Sequence, residues 1–350
     1  MSATLTTAVI GTGAISQEHL DFLSRERVSH IVGVCDLSRA SARYAASRFP
    51  DARAFTNHHE MLDTLRPDVV HVLTPPQTHA AICRDCLEAG AHVFVEKPVA
   101  LTYEDFQKLW TTAERYDRRL IEDHNYRFNT PVQTLEQLVA EGQLGEIREV
   151  EVRMALALHR GNRYNDPHLP HPSHQLPAGV IHEFLPHLAY LALRFLPRVD
   201  RVVAAWRNES GNPAFQYDDL DALVFSSNIH ARLRFSCHTQ PDCFTVTLRG
   251  TEGWAQADLF HPCVQTSWTC KAGPFSPLLN QMLGGAVLLS AGVANLRRKI
   301  LQETPYEGMH RLLRMTYECL HRGEEPPITF DDMDRTSRLI DSLLDEANRL

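Results

Sequence analysis

The run Val93-Phe94-Val95 stops abruptly at Glu96-Lys97-Pro98. A short unbroken run of Val and Phe reads as a strand buried on both faces, the situation of a parallel sheet covered by helices. Pro98 has no amide proton to give a neighbouring strand, so the strand ends there. An acid and a base are thereby fixed at the carboxyl end of a buried parallel strand, the edge at which open α/β sheets bind their ligands. Alone, the pair is equally a solvated strand end with an ordinary ion pair. The flanking sequence decides between these readings.

Residues 7–10 read as a strand that runs directly into Gly11-Thr12-Gly13-Ala14-Ile15-Ser16. This is a G-x-G-x-x-G/A loop with a small Ser in third place. Gly11 permits the tight turn, and Gly13 lets the backbone approach a pyrophosphate. The helix predicted over 16–25 turns its N-terminus toward that anion. The loop alone is a weak signal; a strand before it, a helix after it and a second strand at 31–35 give it the context it needs. That second strand ends in Asp36, 25 residues after Gly11, near the spacing of an acid that holds the adenosine ribose hydroxyls. An acid there favours NAD, because a 2′-phosphate would meet its charge, while Ser38 and Arg39 leave NADP open. Asp36 is also a candidate N-cap for a helix over 37–49.

The alternation continues. A short strand at 54–55 precedes a helix through Met61 and Leu65, and the strand 68–73 ends in Thr74-Pro75-Pro76-Gln-Thr-His79. Two prolines force an extended turn over the sheet edge. His79 opens a helix that closes near Gly90, a typical C′ glycine. The strand 91–95 delivers Glu96, Thr102 caps a helix to about 116, and a last strand covers 120–124. Strands alternating with helices predict a doubly wound parallel sheet, a Rossmann domain over residues 1–124.

Gly11-x-Gly13, Thr74-Pro-Pro-x-x-His79, Glu96-Lys97-Pro98 and Asn125-Tyr126-Arg127-Phe128, in that order, resemble the Gfo/Idh/MocA family of oxidoreductases (glucose–fructose oxidoreductase, inositol dehydrogenase and relatives). Glu-Lys-Pro after this strand is a fairly specific mark of that family; the glycine loop is not. The resemblance covers essentially the whole chain. It implies an α/β protein: the Rossmann domain is followed, over 125–350, by a substrate-binding and oligomerisation domain of α+β type on an open, largely antiparallel mixed sheet. It implies a dinucleotide along Gly11, Thr12, Gly13, Ala14 and Ile15, with Asp36, Thr74, Pro75, Pro76, His79, Glu96, Lys97 and Asn125 completing the site. A homodimer or homotetramer is implied by the resemblance only.

The second domain agrees. An amphipathic helix over 131–141 precedes a long strand at 147–158, and the sequence turns strand-rich after Val199. Gly179-Val-Ile-His-Glu183-Phe-Leu-Pro-His187 looks like the family's G-x-x-x-D-x-x-x-H helix, with Glu183 where the family more usually has Asp. Glu183 and His187, four apart, project from one helix face. A carboxylate beside an imidazole fixes its tautomer and raises its basicity, which suits removal of a proton from a secondary alcohol. Pro186 lies between them and suits only a first turn or a kink. A buried helical histidine with a local ion pair is the plainer reading of this segment alone.

The loop 159–177 is rich in His, Pro and Asn, with His168, His171 and His174 spaced by three. Its prolines rule out a regular helix, so it is read as a substrate-covering loop, with a surface loop of no role as the alternative, and not as a metal site; no metal is expected. Tyr126, Arg127, Tyr164 and His174 join Lys97, Glu183 and His187 as substrate-binding candidates. The apolar stretch 278–296 approaches the length of a membrane span, but Asn280, Gln281, Ser290 and Asn295 interrupt it. It is read as an inserted helix at a subunit or domain interface, with peripheral membrane contact as the alternative and no integral membrane segment expected.

A net charge of −8 without basic blocks argues against a nucleic-acid partner. The first residues carry no positive signal region, and eight scattered cysteines suit free thiols in a reducing cytoplasm. These features add up to an NAD(P)-dependent dehydrogenase. It passes hydride between nicotinamide and a secondary hydroxyl of a sugar, sugar nucleotide or cyclitol, with His187 and Glu183 as the base and Lys97 polarising the oxygen. Tightly held NAD used for transient oxidation, in epimerisation, elimination or glycoside cleavage, and a non-catalytic dinucleotide-binding protein are the alternatives.

Overall fold

The structure, a computed structural model, describes residues 4–158, 164, 166, 171–268, 273–301 and 304–347. The chain divides into two units, Met1–His124 with Met309–Ser337, and Asn125–Gly308 with Arg338–Leu350.

The first unit alternates β1 (Thr6–Ile10), α1 (Ser16–Glu26), β2 (His30–Cys35), α2 (Arg39–Ala46), β3 (Arg53–Phe55), α3 (His58–Leu65), β4 (Val69–Val72), α4 (His79–Glu88), β5 (His92–Val95), α5 (Tyr103–Arg115) and β6 (Leu120–Glu122). Its strands pair in the order β3-β2-β1-β4-β5-β6, every pair parallel. Covered on both faces, β4 is buried at all four positions, which is why its sequence is almost continuously apolar. The strand order reverses between β1 and β4, and the crevice outside their carboxyl ends is where such sheets take a ligand. The helices start where short polar side chains accept from their first amides: Asn57 from His59 and Glu60, Thr102 from Asp105. Cys83 and Cys86 are buried in α4 with free thiols, and burial pushes both well above the ordinary thiol range.

The second unit holds α6 (Thr130–Ala140), β7 (Ile147–Ala155), α7 (Gly179–Leu193), β8 (Arg201–Arg207), β9 (Asp219–Ser226), β10 (Ile229–Ser236), β11 (Cys243–Gly250), β12 (Gly253–Asp258), β13 (Cys263–Trp268) and α8 (Ser276–Ile300). Its seven strands run β13-β12-β11-β7-β10-β9-β8; β7 and β10 are parallel and the other neighbours antiparallel. Along β10 Ala231, Leu233 and Phe235 are buried while Arg232 is exposed, the alternation of a sheet with one covered face. The cover is α7, buried at every position but Glu183 and Phe184. That packing explains a departure from the sequence reading. Pro186 sits inside α7 and the helix runs through it, although an interior proline costs about 3 kcal/mol. Burial of nearly the whole helix offsets the loss.

Two further helices close the chain, α9 (Glu307–Arg322) and α10 (Phe330–Ala347). Residues 309–337, read from sequence with the second domain, group with the first unit. Their anchor is Tyr317, 1% exposed, whose hydroxyl lies 2.8 Å from Oγ1 of Thr7 on β1.

Candidate active site

In the first unit the glycine loop closes directly on the turn after β4. Gly11 has φ +94°, and a Cβ there would lie 2.7 Å from the carbonyl of Leu73 and 2.9 Å from the amide of Thr74. No side chain fits where the ends of β1 and β4 approach so closely. Gly13 is the opposite case, since a Cβ there would meet nothing within 4 Å. It leaves an open face of backbone ahead of α1, whose N-terminus carries no side-chain cap. The donor set fits a dinucleotide pyrophosphate.

Asp36 lashes this loop to β2. Its Oδ2 accepts from the amide and hydroxyl of Thr12, at 2.9 and 2.7 Å, and its Oδ1 from the amide of Ser38 at 2.8 Å. Partial burial pushes the carboxyl up, but these three bonds outweigh it and hold Asp36 below the usual range, ionised. The N-cap role expected of Asp36 falls instead to Ser38, which accepts from the amide of Ser41. One strand further, Arg39, Arg43 and Arg53 help line a cavity of about 260 Å³ that includes Phe55, whose carbonyl accepts from the amide of Asp36.

The Glu96-Lys97-Pro98 turn is clamped from three sides. His79, fully buried, places Nδ1 2.7 Å from the carbonyl of Pro98 and Nε2 2.7 Å from that of Thr74. Burial holds its imidazole below the ordinary value against the pull of both carbonyls, and the single N–H of the neutral ring can serve only one of them at a time. Glu122, 1% exposed, accepts from the amide of Val99 and from Nε2 of His124, both at 2.8 Å. Nε2 of His19 lies 3.4 Å from Oε1 of Glu96.

Behind Glu96 runs a buried polar chain. His19 and His71 meet through their Nδ1 atoms at 2.9 Å, and Nε2 of His71 lies 2.9 Å from the hydroxyl of Tyr317. A carboxylate oxygen of Asp123 lies within 4.8 Å of both Glu96 and His19. Burial and the charge of Glu96 raise Asp123 well above the carboxylate range, so it carries the proton of the pair. Burial also pushes Glu96 up, but His19 and Lys97 win and keep it ionised. Burial lowers His71, keeping it neutral. None of His19, His71, Glu122, Asp123 and Tyr317 stood among the sequence candidates. The available signals were isolated histidines in apolar runs and two consecutive acids ending a buried strand.

The second unit builds its group around α7. His187, 6% exposed, places Nδ1 2.8 Å from the hydroxyl of Tyr190, which donates to Oδ1 of Asn125 at 3.2 Å. The Asn125 amide is oriented by the amide of Tyr126, which donates to the same Oδ1 at 2.8 Å. Tyr190 thus spends its single proton on Asn125, and Nδ1 of His187 must be the donor to Tyr190. In that tautomer Nε2 carries no proton and can accept one. The sequence reading gave Glu183 the task of fixing this tautomer; Tyr190 bonds Nδ1, and Glu183 accepts from Tyr164 at 3.3 Å. Tyr126 sets its ring edge against His187, with centroids 4.9 Å apart, and Arg127 lies over the ring of Phe128.

The histidine-rich loop is a scaffold where it is described. His174 Nε2 lies 2.8 Å from the carbonyl of Tyr164, and Nδ1 of His171 accepts from the amide of Ser173. His168 lies outside the described residues.

Residues 5–124 match the model of an oxidoreductase family with an NAD-binding Rossmann fold, and residues 132–256 match the Gfo/Idh/MocA C-terminal domain. The chain is 34% identical over 147 residues to D-glucoside 3-dehydrogenase of Escherichia coli (strain K12), covering 42% of each. It is 29% identical over 197 residues to inositol 2-dehydrogenase of Corynebacterium glutamicum (strain R), covering 54% of this chain and 55% of that one. The matched stretches therefore span about half or less of these relatives. The solved WlbA dehydrogenase from Bordetella pertussis, in complex with NADH and UDP-GlcNAcA, superposes with a TM-score of 0.79 at 16% identity over 100% of this chain and 97% of that one, a likeness of fold.

Proposed function

Because the chain belongs to the Gfo/Idh/MocA oxidoreductase family, we propose that it is a nicotinamide-dependent dehydrogenase acting on a secondary hydroxyl of a sugar, sugar nucleotide or cyclitol. The observation that carries the reading is the His187 tautomer: Tyr190 holds the protonated Nδ1 and leaves Nε2 as a base. The sugar and cyclitol dehydrogenases among its relatives support the substrate class.

The dinucleotide, when bound, supplies the hydride acceptor. Gly13 gives its open backbone to the pyrophosphate, and the ionised Asp36 receives the ribose hydroxyls. Asp36 supports NAD over NADP, because its charge opposes a 2′-phosphate; Arg39 is the residue that would favour the phosphate. Nε2 of His187 takes the hydroxyl proton, and the Lys97 ammonium holds the oxygen as negative charge develops on it. Glu183 and Tyr164 bind neighbouring hydroxyls. Val203 and Leu223, cross-strand partners that are 45% and 37% exposed, support a second copy seated on the open face of the sheet.

The test is reduction of NAD and NADP, followed by absorbance, against free sugars, cyclitols and nucleotide sugars, with a parallel sample denatured to look for released cofactor. Turnover with one substrate class that His187→Asn lowers by about a hundredfold or more supports the reading. Turnover unchanged in His187→Asn refutes the assignment of the base. Released cofactor without turnover moves the activity to internal oxidation and return.

A further inference from the structure

The long helix α8 is built inside out. Its partly covered positions are Ser276, Asn280, Gly284, Ala291, Asn295 and Arg298, one stripe of polar and small residues along the helix. Two of them are fastened to the neighbouring strand and its turn: Asn280 Nδ2 donates to the carbonyl of Trp268 at 2.8 Å and Asn295 Nδ2 to that of Pro262 at 3.4 Å. The outward side is apolar, with Met282 and Leu289 each 73% exposed, Ile300 70% and Val293 64%. No residue of the helix is buried. A surface helix of a globular protein shows the reverse arrangement, and an apolar patch of this extent marks an interaction surface.

Charge selects the occupant. The chain carries 43 acids against 35 Lys and Arg, yet residues 276–300 contain no acid and end in Arg297-Arg298-Lys299. If α8 paired with the same helix of a second copy, that helix would offer the outward Arg297 and Lys299 no carboxylate. In the antiparallel arrangement they would instead meet the positive end of the partner helix dipole. An anionic bilayer supplies both missing complements, acyl chains for the leucines and phosphate for the cations. The two Asn anchors hold the helix lengthwise along β13, so it lies on such a surface and does not cross it. We propose that α8 docks this protein on the surface of an anionic lipid bilayer, its outward side sunk among the headgroups. The proposal is independent of the dehydrogenase reading.

The experiment is flotation of the full-length protein with vesicles of phosphatidylcholine alone and of phosphatidylcholine mixed with phosphatidylglycerol. The expected result is binding to the mixed vesicles that salt weakens. R297E/K299E should weaken it by about thirtyfold, and M282E/L289E should abolish it; both variants keep the thermal midpoint, because the side chains they change are exposed. Equal binding to both vesicle types, or binding indifferent to the charge reversal, overturns the anionic surface. Absence of binding, with a wild-type dimer that M282E/L289E splits in solution, overturns the proposal in favour of a second copy.

Discussion

Tyr190 holds His187 through Nδ1 at 2.8 Å, one helical turn along α7, and passes its own proton to Asn125, 65 residues earlier in the chain. The orientation of the proposed base therefore depends on a phenol that the sequence reading did not single out. Tyr190→Phe should lower kcat by about tenfold to a hundredfold with little change in KM, and should move the acidic limb of the pH–rate profile. A profile of unchanged shape and height removes Tyr190 from the mechanism.

Lys97→Ala should abolish turnover, by about a thousandfold or more in kcat, while NAD affinity measured by fluorescence titration stays nearly intact. The clamps on this turn reach the main chain of Thr74, Pro98 and Val99, so removal of the Lys97 side chain leaves them standing. A kcat near the wild-type value sinks the assignment.

Asp36→Ser should shift the ratio of kcat/KM for NAD over that for NADP downward by about tenfold or more, because a charge that opposes a phosphate is gone. The same change removes two hydrogen bonds from the glycine loop and one from Ser38, so the absolute values should fall for both nucleotides. A ratio that does not move indicates that Asp36 is only a fastener of the loop.

Burial lowers His71 and His79 in the folded state from an ordinary 6.5, and lowers His92 to about 4. The unfolded chain therefore binds protons below pH 6.5 that the folded chain refuses. Stability contributed by these neutral rings is present above pH 6.5 and is lost as pH falls from there toward the folded values. The loss approaches roughly 1.4 kcal/mol per pH unit for each ring below that point. Urea midpoints at pH 7.5 and 5.5, measured in the same salt, should show a clear drop at the lower pH; equal midpoints contradict the buried neutral state.

The features legible in the sequence were those whose cause is local. The positive φ of Gly11 belongs to a turn within its own segment, though its tight approach to Leu73 does not; Thr102 caps a helix that begins next to it, and the run at Val93 carries its own stop at Pro98. Partnerships set by the sheet were not legible. Tyr317 reaches His71 across 246 residues, and nothing in either neighbourhood announces the other. The role of Asp36 was half legible: its place at the end of β2 was, but whether it would cap a helix or hold Thr12 depends on the path of Ser38. Pro186 misled because its local cost is real, and only the burial of nearly all of α7 shows what overrides it.

The His79 ring has a consequence for recombination. Its two nitrogens touch Thr74 and Pro98, 24 residues apart in sequence, so the two turns inherit one another's geometry. A chimera that exchanges residues 74–79 with those of a relative, while keeping its own 96–99, imports an imidazole aimed at a carbonyl that is elsewhere. The two segments are one exchangeable module, and a successful crossover must fall outside both.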